Sequence, residues 1–140
     1  MTTPDDVFRM IARAIASGPA GPVITGGVWQ TQGASGRRPP YVVLRIEGDE
    51  SEQISDKRLI MRGTAVLELW TDGSGQGAAV ALRVMARSVA RDRLVLDEGR
   101  ILTWKPATWE SAVSDTQASG GADVNQTGLA YRFAIETKGD

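Results

Sequence analysis

Residues 64–91 read TAVLELWTDGSGQGAAVALRVMARSVAR, and the spacing of apolar residues changes period across the glycine-rich turn in the middle. Up to Trp70, Ala65, Leu67 and Leu69 alternate with Thr64, Val66, Glu68 and Trp70, the two-residue repeat of a β-strand. Thr71-Asp72-Gly73-Ser74-Gly75 turns the chain. Residues 76–91 then follow a helical repeat: Ala78, Ala81, Leu82, Met85 and Val89 share one arc, and Arg83, Arg87 and Arg91 stack at i, i+4 and i+8 opposite them. Val80 and Val84 fall among the arginines. Two β-branched apolar residues on a face that should be wet imply that another subunit covers it.

Upstream, the sequence announces a helix over 4–17. Thr3 is placed to cap it, Pro4 suits the first turn, and Asp6 stands three residues after Thr3 as the acidic member of a capping box. Val7, Phe8, Ile11, Ala14 and Ile15 recur on one face until Gly18-Pro19 ends the run. Val28-Trp29-Gln30 reads as a short strand. Residues 31–40, with the pairs Arg37-Arg38 and Pro39-Pro40, read as a loop. Tyr41 to Glu47 reads as a strand with Val42, Leu44 and Ile46 inward. The acid-rich stretch 48–57 reads as a solvated turn or hairpin tip, and the next strand runs over about 58–70.

Downstream of the second helix, Leu94-Val95-Leu96 and Ile101 to Trp104 flank Asp97-Glu98-Gly99-Arg100 like the arms of a hairpin, and Pro106 either makes the second arm an edge strand or breaks it. Residues 111–127, dominated by Ser, Gly, Gln, Asp and Thr, read as a long loop. The last strand alternates Leu129, Tyr131, Phe133 and Ile135 with Ala130, Arg132, Ala134 and Glu136. The expected class is α+β, a single domain with two amphipathic helices packed on a mainly antiparallel sheet.

Composition removes whole classes of chemistry. The 140 residues contain no cysteine and no histidine, so thiolate nucleophiles, disulfides, zinc–thiolate sites and the usual proton shuttle near neutral pH are absent. A net charge of −1 speaks against a broad phosphate-binding surface, and no apolar run approaches the ~20 residues that span a bilayer. Membrane insertion and specific nucleic-acid recognition are therefore not expected. The acidic start, Thr2-Thr3-Pro4-Asp5-Asp6, is unlike the basic start of a signal peptide.

The carboxylates that remain, Asp49/Glu50/Glu52 and Asp97/Glu98, fall in stretches read as solvated turns, where such groups do no acid–base work. Gly73-Ser74-Gly75-Gln76-Gly77 precedes a helix but lacks the Lys-Ser/Thr of a phosphate-binding loop, and no calcium-loop spacing occurs. No catalytic residue, cofactor or metal is expected. Candidate interface residues are Val80, Val84 and the stripe Arg83, Arg87, Arg91, with Trp29 and Trp70 as aromatic anchors and Arg37-Arg38 as further positive charge. A contrasting segment, Pro106 to Tyr131, holds no Lys or Arg and carries only Glu110, Asp115 and Asp123. Head-to-tail packing of copies would bring such unlike surfaces together.

In layout the chain resembles the small tail-completion or tail-terminator proteins of long-tailed phages and phage-derived particles. The likeness is carried by the N-terminal helix, Gly27-Val28-Trp29 ahead of Pro39-Pro40-Tyr41-Val42-Val43-Leu44, Leu67-Glu68-Leu69-Trp70-Thr71 running through a Gly/Ser turn into an Ala-rich helix, and the late strand Tyr131 to Ile135. The resemblance implies a hexameric ring that caps the tail tube, halts its growth and presents a surface to the head connector. It implies a location in the tail or neck of a virion assembled in the bacterial cytoplasm, and no catalysis. The stretches 48–57 and 111–127 depart from the family's pattern. Two rival expectations are a head-side neck or stopper protein, and a small ligand-binding or hydrolytic domain using the carboxylates of 48–57.

Overall fold

The capping box at Thr3 forms as its spacing demands. In the computed structural model, which describes residues 2–30, 38–72, 75–108 and 124–138, helix α1 spans Pro4–Ser17. The Asp6 amide donates to Thr3 Oγ1 at 3.3 Å and the Thr3 amide to Asp6 Oδ2 at 2.8 Å, so two orphan amides of the first turn are satisfied reciprocally. The Thr3 backbone N–H holds the Asp6 carboxyl below the ordinary aspartate pKa. A carboxylate whose pKa is lowered on folding stabilises the fold above its unfolded pKa, and that stabilisation is lost as pH falls through the folded value. Thermal melts should therefore show Thr3→Ala losing about 1 kcal/mol at neutral pH. They should also show the gap between the wild type and Asp6→Asn narrowing below about pH 4; a gap independent of pH would contradict the cap.

Among the described residues five strands make one sheet in the order β1-β2-β3-β5-β4: β1 is Val28–Trp29, β2 Tyr41–Ser55, β3 Arg58–Asp72, β4 Arg100–Ala107 and β5 Val124–Lys138. Short β1 pairs parallel to β2 at Val28↔Val42 and Trp29↔Val43, and every other pairing is antiparallel. The α+β class expected from the sequence is observed. Strands β3 and β5 pair along their whole lengths, from Arg58↔Lys138 to Asp72↔Val124. Helix α2 (Gly75–Ser88) lies with α1 on one face of the sheet. There Val7, Ile11 and Ile15 of α1 and Ala81 and Met85 of α2 meet Val42, Leu44, Leu67, Leu69, Phe133 and Ile135. Gly63 is part of this fit, because a Cβ there would stand 2.9 Å from the Phe133 ring.

The face away from the helices is also buried at one end. Tyr41 stacks on Trp70 with ring centroids 6.2 Å apart, beside Val43, and Trp70 is 0% exposed. The cross-strand pair Tyr41↔Trp70 brings the two rings together.

The structure corrects the sequence reading at several element boundaries. The stretch 48–57 is chiefly strand, since β2 continues to Ser55 and turns only at Asp56-Lys57. Gly48, at φ +61°, and register shifts at Glu47/Glu50 and Gln53/Ser55 let the polar strand bend without ending. Helix α2 stops at Ser88, three residues short of the expected end. Ser88 Oγ donates to the Val84 carbonyl and accepts the Ala20 amide, and the chain then makes a 3-10 turn at Arg91–Arg93 that sets Leu94 into the core.

Residues 94–96 are not a strand, so the expected hairpin arm is missing; β4 pairs with β5 instead. Thr2 Oγ1 donates to the Glu98 carbonyl, and Arg13 meets Asp97 at 3.3 Å, which tie this stretch to the residue ahead of the α1 cap and to the second half of the helix. Pro106 lies within β4, an edge strand of the sheet, where a missing amide costs least. Finally, β5 begins at Val124, inside the stretch read as the 111–127 loop. Residues 111–123 lie outside the described residues.

Candidate subunit interface

Helix α2 carries the candidate patch, and its geometry separates the two valines. At about 100° per residue, Val84 lies roughly 40° nearer than Val80 to the arc of Ala81, Met85 and Val89. Val84 is accordingly half-buried against the main core and is not left over, which corrects the sequence reading. Val80 is 46% exposed. It lines a shallow, largely apolar groove with Val23, Pro40, Thr71, Asp72, Gly77 and Ala81. Arg83 and Arg87 are exposed roughly one and two turns along from Val80.

The arginine stripe does not extend to its third member. Because the helix ends at Ser88, Arg91 sits in the 3-10 turn and its Nη2 donates to the Ile101 carbonyl of β4. Its task is to hold the turn against the sheet.

The aromatic candidates divide in the same way. Trp29, at the end of β1, is 41% exposed and its Nε1 donates to the Gly26 carbonyl at 2.7 Å, so the indole is oriented yet leaves apolar surface outside. Trp70 is enclosed within the chain and cannot anchor a partner, contrary to its reading as an interface residue. Trp104 is half-buried, stacks on Tyr131 at 4.7 Å and donates to the Val89 carbonyl at 2.9 Å. Arg38 is exposed; Arg37, Asp115 and Asp123 lie outside the described residues.

Among the carboxylates, the structure arranges Glu47, Glu50 and Glu52 along β2 rather than gathering them round a cavity. Glu47 pairs with Arg45, and Glu52 meets Arg62 at 2.7 Å. No group of three or more acidic residues able to hold a metal occurs among the described residues. No helix among them is long and apolar enough to cross a membrane. Tyr131 has its pKa raised by burial, which keeps the phenol neutral as a core group.

Three features escaped the sequence reading. Glu68 is 1% exposed on the sheet face away from the helices, 2.8 Å from Arg45 Nη2, and accepts from Gln126 Nε2 at 3.3 Å. The Arg45 contact is short but lacks hydrogen-bond alignment at Oε1, so its attraction is chiefly electrostatic. Its signal was present, since Glu68 shares its alternation with Val66 and Trp70. Ile54 and Leu102, 53% and 36% exposed, stand at the register shifts of β2 and β4.

No protein-family model matches the sequence, and no curated protein matches it. Among solved structures, the fold is similar to a chain described as "Virion of native gene transfer agent (GTA) particle". That similarity has a TM-score of 0.65 and 16% sequence identity, and covers 93% of this chain and 94% of the other, so the fold is shared from end to end.

Proposed function

We propose that this chain is a structural subunit of a phage-like virion, a tail terminator that closes into a ring on the end of the tail tube and joins it to the head connector. The observation that carries the reading is the end-to-end likeness of fold, covering 93% of this chain, to a chain of a gene transfer agent virion. The sequence layout resembles that of tail terminators in its N-terminal helix, its Leu67 to Thr71 strand and its Ala-rich second helix. A ring formed head to tail needs two different patches on each subunit. The Val80 groove in the first half of α2 supplies one patch, and Arg83 and Arg87 are exposed further along the same helix.

Size-exclusion chromatography with light scattering, on the protein alone and with polymerising tail-tube protein, tests this reading. A ring-sized species and tubes of arrested length, capped in electron micrographs, are expected. A strict monomer that leaves tube growth unchanged would overturn the proposal, and binding only to head-side components would move the protein to the neck.

A further inference from the structure

The two outer strands of the sheet match one another in direction, level and charge. Pairing alternates through β2, β3, β5 and β4, so β2 and β4 run in opposite senses. Among the described residues β1 covers β2 only at Val42 and Val43, and β2 from Glu47 to Ser55 has a strand on one side alone. Among the described residues strand β4 pairs only with β5. Arg91 already occupies the Ile101 carbonyl, and Pro106 has no amide to give, so the stretch of β4 available to a further strand is centred on Leu102 to Lys105.

The open halves lie at the same height. Following the pairings across the sheet, Arg100 is level with Glu136, Ile60 and Glu52, and Thr103 with Ala134, Arg62 and Glu50. Lys105 is level with Arg132, Thr64 and Glu47. By alternation all of these side chains stand on the face away from the helices. One edge thus presents three carboxylates, of which Glu47 and Glu52 also meet Arg45 and Arg62 within the subunit, and the other presents Arg100, 3.5 Å from Glu136, and Lys105 in the same rows.

We propose that successive copies of this chain join head to tail by sheet extension: β4 of one copy pairs antiparallel with the Glu47–Ser55 half of β2 of the next. In copies related by rotation about an axis running roughly along the strands, strand sense is kept, and the opposite senses of β2 and β4 make this pairing antiparallel. Charges on edge strands normally prevent edge-to-edge association, and here they act selectively. Pairing β2 with β2 would oppose glutamates, and pairing β4 with β4 would oppose cations. Only the unlike edges attract, and that favours a heterologous, ring-closing contact over a two-fold dimer. The exposed Ile54 and Leu102 add apolar area beside the ladder.

The inference rests on the ring reading above, and charge reversal separates the two. Glu47→Lys/Glu52→Arg and Arg100→Glu/Lys105→Glu are each expected to weaken self-association by more than about tenfold, since each sets like charges in adjacent strands. All four substitutions in one chain, or an equimolar mixture of the two double variants, should restore it. Circular dichroism monitors folding, and hydrogen exchange of wild-type rings should show the amides of 50–55 protected relative to dilute monomer. Rings that form normally from either double variant, or exchange at 50–55 unchanged by assembly, would overturn the sheet contact and leave the ring intact. A wild type that never assembles would instead overturn the ring reading itself.

Discussion

Arg45→Ala is expected to destabilise the fold by about 3–5 kcal/mol, far more than an ordinary half-exposed arginine, because it strands the Glu68 carboxylate in the interior. Glu68 lies on β3 among Val43, Val66 and Trp70, 1% exposed, with Arg45 Nη2 2.8 Å away and Gln126 as its other partner. Taking the guanidinium away removes the cation 2.8 Å from a carboxylate that is 1% exposed. The converse variant, Glu68→Gln, should be milder, about 1–3 kcal/mol. The arginine side chain is 25% exposed and also meets Glu47, so its charge stays solvated and paired. Replacing both partners with apolar residues, Arg45→Met/Glu68→Leu, should recover most of the loss, as buried ion pairs often exchange for packed hydrophobes without penalty. Urea unfolding of the three variants checks the order. A loss under about 1 kcal/mol for Arg45→Ala, the size of a surface ion pair, would show that the carboxylate is solvated after all.

What the sequence made legible was whatever local chemistry decides. The capping box at Thr3 and Asp6, the apolar stripe of α1, the period change across residues 71–75 and the alternation of β3 and β5 each arise within a few residues. The errors arose where distant parts of the chain overrule the local pattern. The polar stretch 48–55 reads as loop because it has little to bury, yet pairing with β3 extends it as strand. Leu94-Val95-Leu96 has the composition of a strand, but the 3-10 turn before it sets Leu94 into the core, and β4 finds its partner in the distant β5. Ser88 ends α2 early through its bond to Ala20, a partner 68 residues away. Trp70 closes a strand in the manner of an exposed anchor, and only the register with Tyr41 reveals that its face is covered. The candidate site was legible to the same degree: the apolar surplus on α2 was visible, but its restriction to Val80 follows from how the helix is turned against the sheet.

That restriction leads to the sharpest functional expectation, that Val80→Asp leaves the subunit folded and abolishes the ring. Val80 is 46% exposed on a solvent-facing part of α2, so an aspartate there stays hydrated in the free subunit. Its stability cost is the helix propensity difference and little lost packing, within about 0.5–1 kcal/mol. In an assembled ring the same carboxylate would be pressed against a neighbour's apolar surface and desolvated without a partner. A penalty of about 3 kcal/mol there weakens each contact by about 100-fold. The lining by Val23, Pro40 and Ala81 offers no cation to relieve it. Val84→Asp provides the contrast: its position packs on the main core, so it should unfold the subunit before it affects assembly. Arg83→Ala and Arg87→Ala, at exposed positions further along α2, should alter the salt dependence of assembly more than its strength. Light scattering over a concentration series, paired with urea unfolding of each variant, distinguishes these outcomes. A Val80→Asp protein that builds rings as the wild type does would mean that this side of α2 faces solvent in the particle, and that the apolar surplus on the helix is not what the subunits share.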